Sequence, residues 1–198
     1  MGLTSRPDRV AAPAVSGIPG ASRQPELPRR ILNLSRSQQR GVFRSRRGAE
    51  RVLSLQLLNG LLADSMVLYE HYRKDTGDKS PYGPHLILDD HVRQQRALIE
   101  VLVDRVHTLG GTATVPSQVA ELTVMSRPPE GPEDPQDRLL RLLDVQELII
   151  KRIREAITAI TTSSDEGTRA LLRDLLRHHE WQRRFVADQL VDGTALSA

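Results

Sequence analysis

Four long stretches of the sequence repeat apolar residues every three or four positions, which is the period of an amphipathic α-helix. They span residues 50–73, 85–109, 136–161 and 168–190. Turn-forming sequence separates them, including Gly110-Gly111 and four prolines between residues 128 and 135. A shorter amphipathic stretch, residues 116–122, lies in the long connection between the second and third helices. The pattern predicts an all-α fold, a four-helix bundle with a short helix in one long crossover.

The first 48 residues differ from this pattern. They are rich in Pro, Gly, Ser and Arg and show no sustained apolar period. Such composition is typical of disordered segments, because little apolar surface can be buried. We therefore predict a disordered Arg-rich N-terminal tail at 1–48, the helical bundle at 49–193 and a short C-terminal tail at 194–198.

Charge is distributed unevenly between the tail and the body. Residues 1–51 hold 11 Arg against 3 acids, which gives 11 − 3 = +8, and the remainder holds 17 basic and 22 acidic residues, which gives −5. Arginine contacts phosphate through bidentate hydrogen bonds and releases counterions without any need for base specificity. The tail is thus a candidate for nonspecific DNA binding, although arginines can also simply keep a disordered segment solvated. The candidate DNA-binding residues are Arg29, Arg30, Arg36, Arg40, Arg44, Arg46 and Arg47.

Composition excludes several kinds of site. The sequence has no cysteine, so disulfides, thiol catalysis and cysteine-ligated metal sites are excluded. A reducing cytoplasm is the natural compartment for such a chain. No Gly-rich phosphate loop follows a strand pattern, and no nucleophile elbow is present, so no small-molecule cofactor is expected. No membrane partner is expected either.

The second helix carries four residues with the chemistry of metal ligands: His85, Asp89, Glu100 and Asp104. On a helical wheel they fall within an arc of about 100°, and they form two pairs spaced four residues apart. The two pairs lie about 16 Å apart along the axis, too far to share one metal ion.

A two-fold axis brings the pairs together, because it places one pair against the other pair of a second chain. Two inter-subunit sites then form per dimer. The alternative is that these side chains are solvated or paired with the neighbouring Arg93, Arg96 and Arg105.

Several segments resemble the Dps family of miniferritins. Residues 58–65, followed by Leu68-Tyr69, resemble the family's first helix, and residues 85–91 resemble the start of its second. Residues 104–111 resemble the end of that helix. Further similar segments are 120–123, 127–129 and 165–168, and the resemblance covers about residues 52–192.

The resemblance implies a ferritin-like bundle assembled as a dodecameric hollow shell. It implies a ferroxidase-type oxidoreductase that oxidises Fe(II), mainly with hydrogen peroxide, and stores ferric iron. Carried over by position, His85 and Asp89 would hold a mono-iron or di-iron centre together with Glu100 and Asp104 of the facing chain. Together with DNA binding by the tail, this implies a cytoplasmic, nucleoid-associated protein.

One position departs from the family pattern. A His-Trp pair usually ends the first helix, and its histidine is a ligand, but this chain has Thr76-Gly77 there, with a shorter loop to His85. His71, Asp75 and Asp78 are the candidate substitutes. The alternative function is therefore a Dps-like shell with weakened or lost ferroxidase activity that acts mainly as a structural DNA-binding protein. A four-helix protein without a shell is the third hypothesis.

Overall fold

The computed structural model describes the backbone of residues 36–75 and 85–195, and the side chains of 47–74 and 88–191. The chain divides into two compact units, Met1–Gly41 and Val42–Ala198. The described part of the first unit, residues 36–41, is helical. The second unit contains the helical bundle.

Five α-helices and one 3₁₀ turn make up the described structure. They are α1 Arg36–Asp75, α2 His85–Thr108, the 3₁₀ turn Pro116–Gln118, α3 Val119–Leu122, α4 Pro135–Ala159 and α5 Glu166–Ala195. No strand occurs in these ranges. The all-α bundle with a short helical segment in the crossover is confirmed.

Contacts between side chains define the direction of each helix. Tyr72 of α1 packs on His91 of α2, and Arg51 bonds Gly110, so α1 and α2 are antiparallel. Hydrogen bonds between the other helices join the early part of one helix to the late part of the next. They make α1 antiparallel to α4, and α5 antiparallel to both α2 and α4. The crossover therefore joins two parallel helices, α2 and α4, which is the reason it must be long.

The crossover runs along α1 and is fastened to it by polar side chains. Asn59 donates to the Thr112 carbonyl at 3.1 Å and accepts from the Thr114 amide at 2.8 Å. Farther along, the buried Asp64 accepts from the Thr123 hydroxyl at 2.8 Å and the Val124 amide at 2.9 Å. These contacts satisfy backbone groups that an irregular segment leaves without helical partners.

Local sequence explains where the helices end. Asp134 caps α4 by accepting from the Gln136 amide at 2.8 Å, with Pro135 at the first helical position. At the end of α2, Gly110 has φ +68, and the Gly111 amide bonds the Val106 carbonyl at 3.0 Å. This left-handed C-terminal turn favours glycine.

Leucine, isoleucine and valine form the core, as the low aromatic content requires. Leu58, Leu62 and Leu68 of α1 are fully buried, as are Leu102 and Val106 of α2. The segment Arg47–Lys74 could cross a membrane by length and composition alone, but 56% of its most apolar stretch is buried inside the bundle.

The structure corrects the predicted tail boundaries. Helix α1 begins at Arg36, so residues 36–48 are helical and their predicted disorder was wrong. At the other end α5 extends to Ala195, two residues beyond the predicted limit of the bundle at 193. The remaining tail positions lie outside the described residues.

Candidate metal centre and arginine-bearing helix

Helix α2 presents two distinct faces. Leu88, Leu102 and Val106 share the face that packs in the core. The carboxylates lie more than about 100° around the helix from it. In the chain alone Asp89 is half-buried, whereas Glu100 and Asp104 are exposed. The predicted ligand face therefore points away from the bundle.

These carboxylates are weakly engaged within the chain. Arg96 lies 3.5 Å from Glu100, and both side chains are largely exposed. Such surface pairs contribute less than about 1 kcal/mol, so the pair would exchange readily for a metal ion. Carboxylate oxygens and imidazole nitrogens are donors that suit Fe(II). The chemistry of the residues on this face therefore fits iron.

The described residues of one chain do not enclose a metal site on this face. Among the described residues, no three His, Cys, Asp or Glu side chains converge as metal ligands would. This agrees with the 11-residue separation of Asp89 and Glu100, about 16 Å along the helix. His85 begins α2, but its side chain lies outside the described residues, as do Thr76, Gly77 and the side chains of Asp75 and Asp78.

His71 has a structural role that the sequence did not indicate. Its Nε2 donates to the Ser126 carbonyl at 2.8 Å, and its Nδ1 accepts from Arg141 at 2.7 Å. Burial lowers its pKa below the ordinary value. Both ring nitrogens are therefore occupied, and the expectation that His71 supplies a metal ligand is corrected.

A salt-bridge network continues from His71. Arg141 donates to both carboxylate oxygens of Glu133, and Lys74 donates to the same group at 3.2 Å. Arg141, with help from Lys74, holds the pKa of Glu133 at about 2. The network ties the ends of α1 and the crossover to the first turns of α4.

A buried polar layer crosses the bundle and was missed at the sequence level. Gln146 of α4 donates to the Tyr72 hydroxyl of α1 at 2.5 Å and to Gln182 of α5 at 3.0 Å. Gln182 donates to Gln94 of α2 at 3.1 Å. His179 donates to Gln146 at 3.1 Å. We call these residues the four-helix polar layer; it joins every long helix.

His91 lies beside this layer in an aromatic box. Its ring contacts Tyr72, Trp181 and Phe185 at centroid distances of 5.3, 5.7 and 5.4 Å. Burial lowers its pKa to about 4 and the pKa of His179 to about 3. Neither histidine was predicted to lie in the core. His91 and His179 occupy positions that continue the apolar spacing of α2 and α5, and this spacing was the signal that could have revealed their burial.

The arginine-rich helix is partly described. Arg47, Gly48 and Ala49 are exposed, and nothing lies within 4 Å of the position a Gly48 side chain would occupy. Arg51 is exposed and donates to the Gly110 carbonyl at 3.2 Å. Arg29 and Arg30 lie outside the described residues, as do the side chains of Arg36, Arg40, Arg44 and Arg46.

Comparison with known proteins identifies the family. A family model described as a ferritin-like domain matches residues 55–195. DpsC from Streptomyces coelicolor is 38% identical, with a TM-score of 0.67, over 72% of this chain and 86% of that chain. The chain belongs to the Dps family of ferritin-like proteins.

Other Dps structures share the fold of this Dps chain at lower identity. The Vibrio cholerae Dps protein is 20% identical with a TM-score of 0.65, over 72% of this chain and 91% of that chain. A relative from Kitasatospora aureofaciens, named as an uncharacterized protein in the bpoA2 5′ region, is 41% identical over 119 residues. That match covers 58% of this chain and 79% of the relative. The predicted family and the ferritin-like bundle are thus confirmed.

Proposed function

We propose that this Dps chain assembles into a hollow homo-oligomer, a dodecamer, that oxidises Fe(II) and stores ferric iron. The observation that carries the proposal is the ligand face of α2. Asp89, Glu100 and Asp104 share it, it points away from the chain's own core, and the described residues of one chain do not close a site on it. A second copy of α2 across a two-fold axis supplies the missing half.

In the proposed site His85 and Asp89 of one protomer hold iron together with Glu100 and Asp104 of its partner. Two Fe(II) ions each give one electron to hydrogen peroxide, which takes up two protons and leaves as two water molecules. The carboxylates offset the positive charge of the bound iron, which increases when Fe(II) becomes Fe(III). The ferric product then moves into the shell.

The test is the growth of ferric absorbance after Fe(II) and hydrogen peroxide are added to the assembled protein. Asp89→Asn removes a charged ligand and should slow iron oxidation at least about tenfold. Glu155→Gln, an exposed α4 carboxylate outside the ligand face, should leave the rate unchanged. Equal rates in the two variants and the parent would refute the proposed site.

A separate observation favours a second candidate function. Because His71 is held by Ser126 and Arg141, it does not replace the histidine that Thr76-Gly77 lacks. A shell with weakened ferroxidase activity that acts mainly on DNA is therefore the alternative. An assembled parent protein that oxidises Fe(II) no faster than buffer would support it.

We propose further that the protein binds DNA nonspecifically through its arginine-rich N-terminal region, and that it is cytoplasmic and nucleoid-associated. Residues 1–51 carry 11 − 3 = +8, and Arg47 is exposed on α1 together with Gly48 and Ala49. An oligomer repeats the region many times, so weak phosphate contacts add by avidity.

A mobility-shift series at several salt concentrations tests DNA binding. A variant with glutamine at all seven candidate arginines should lose most binding, because the remaining acidic body is repelled by phosphate. The slope of log K against log salt should fall by about 0.9 for each phosphate that the variant no longer neutralises. Undiminished binding by this variant at every salt concentration would refute the proposal.

A further inference from the structure

The arginines nearest the bundle occupy defined positions on a helix. In α1, Arg44, Arg47 and Arg51 are spaced by three and four residues and so fall within an arc of about 60°. Arg46 is between about 100° and 160° away from each of them. We call the first three positions the arginine face. Arg36 and Arg40 continue the four-residue spacing in the sequence.

The described residues at this part of α1 are exposed. Arg47, Gly48 and Ala49 are exposed, and a Gly48 side chain would meet no described residue within 4 Å. Arg51 is exposed and fixed by one of its five N–H groups to the Gly110 carbonyl, which leaves the other donors for a ligand. Its position is thus set before a partner binds, which lowers the entropic cost of binding.

Charge and spacing identify the chemistry of the partner. Residues 36–49 contain five arginines and no acid. The arginine face rises about 10 Å from Arg44 to Arg51, and each strand of a duplex carries one phosphate per about 3.4 Å of axis. Because successive phosphates are farther apart along the strand than along the axis, the face spans about two to three phosphates of one strand. Guanidinium groups bind phosphate oxygens bidentately, so a fixed row of them matches a phosphodiester backbone.

We infer that residues 44–51 of α1 form a helical segment that lays its arginine face along the phosphate backbone of duplex DNA. This inference rests on the DNA binding proposed above and specifies how that binding occurs. The DNA affinity of a flexible arginine-rich chain depends on its total charge. The DNA affinity of a helix also depends on which of its faces carries the charge.

Neighbouring arginines provide a matched test. Arg47→Gln should weaken the binding of a short DNA duplex at least fivefold and lower the salt slope by about 0.9, whereas Arg46→Gln, which removes the same charge from another side of the helix, should weaken it by a clearly smaller factor, about twofold. Arg184→Gln, at an exposed arginine of α5 outside this region, should leave the affinity unchanged. Exchanging Arg44 and Ser45, as Arg44→Ser with Ser45→Arg, keeps composition and charge but rotates one arginine by about 100° off the face. It should weaken binding as Arg47→Gln does.

A second pair of variants tests the helix itself while every arginine stays in place. Gly48→Pro removes a helical hydrogen bond and clashes with the preceding turn, so it should weaken DNA binding. Gly48→Ala should preserve or improve it. Particle mass and circular dichroism verify that each variant is folded and assembled.

The outcomes separate the two proposals. Equal losses from Arg46→Gln and Arg47→Gln, with no effect of the Arg44/Ser45 exchange, would overturn the arginine face and leave charge-driven DNA binding intact. Undiminished binding when all seven candidate arginines are glutamine would overturn DNA binding by this region altogether.

Discussion

The buried carboxylate of Asp64 accepts several hydrogen bonds. Its side chain is 0% exposed, and besides the Thr123 hydroxyl and the Val124 amide it accepts from Arg152 at 3.1 Å. Asp64→Ala leaves these donors without their acceptor, which should lower the free energy of unfolding by about 2–4 kcal/mol. Urea denaturation at one fixed protein concentration measures the loss.

Two further variants make the test of Asp64 specific. Asp64→Asn keeps one acceptor oxygen and should cost less than the alanine change. Asp188→Ala, on the exposed surface of α5, should alter stability by no more than about 0.5 kcal/mol. If Asp64→Ala were as mild as Asp188→Ala, the anchoring of the crossover by this carboxylate would be wrong.

His179 predicts a dependence of stability on pH. Burial lowers its pKa from 6.5 to about 3, so between these values the unfolded chain binds a proton that the folded chain does not. The free energy of unfolding should therefore fall as pH decreases below 6.5, by at most about 1.4 kcal/mol per pH unit for this residue. His91 and His178 act in the same direction.

The contribution of His179 is isolated by comparison with His179→Gln. The glutamine variant should be less stable than the parent at pH 7, since it changes the buried layer. Its stability should decline less steeply from pH 6.5 to 4.5, because one proton-linked group has been removed. Superimposable pH profiles, apart from a constant offset, would show that His179 does not titrate on unfolding.

Sequence reasoning at the residue scale succeeded for apolar positions and failed for polar ones. Leu58 and Leu62 lie on the apolar face of the first predicted helix, and both are buried. The same helical period places His91 and His179 among the core positions, but it does not identify what contacts them there, because the surrounding glutamines and aromatic rings come from other helices. The partners of a buried polar group are distant in sequence, and no local pattern specifies them.

Among the helices, α1 is the one whose start was predicted wrongly from composition. Arginine and serine enrichment suggested disorder up to residue 48, yet the helix begins at Arg36. Two local signals favoured the helix. No proline occurs between residues 29 and 80, and Ser35 with Gln38 matches the sequence pattern of a capping box. Arginine, glutamine and alanine are also good helix formers.

Two glycines predict opposite outcomes of the same substitution. Gly48 lies in the interior of α1 with open space around it, so Gly48→Ala should raise stability, by up to about 1 kcal/mol. Gly110 ends α2 with φ +68, so Gly110→Ala should lower stability by about 1 kcal/mol. Thermal unfolding of both variants measures the signs. Stabilisation by Gly110→Ala would contradict the described C-terminal turn.

At the scale of the assembly, the shared site predicts complementation. Asp89→Ala and Glu100→Ala should each abolish most iron oxidation in homogeneous shells, because every site then lacks one ligand. Co-assembly of the two variants should restore activity, since some two-fold contacts then bring two unmutated halves together. No recovery in shells verified by mass to contain both chains would contradict a site shared between subunits.

Only part of the candidate site could be predicted from one sequence. Helical phase placed Asp89, Glu100 and Asp104 on one face of α2 because helix geometry is local. In the proposed site the partner helix belongs to another copy of the chain, so neither periodicity nor one protomer's contacts contain it. The expectation that His71 replaces the missing ligand was wrong because of tertiary contacts, since its ring bonds Ser126 and Arg141.

The four-helix polar layer has a consequence for how the bundle folds. Leucine side chains tolerate displacement of one helix past another, because dispersion and hydrophobic contacts have no direction. Amide hydrogen bonds do have direction, and a slip of one turn, about 5.4 Å, would separate Gln146 from both Tyr72 and Gln182. Each wrongly aligned bundle would bury unpaired amides at about 1–3 kcal/mol apiece. The layer thus selects a single helix register among many that a purely apolar core would accept.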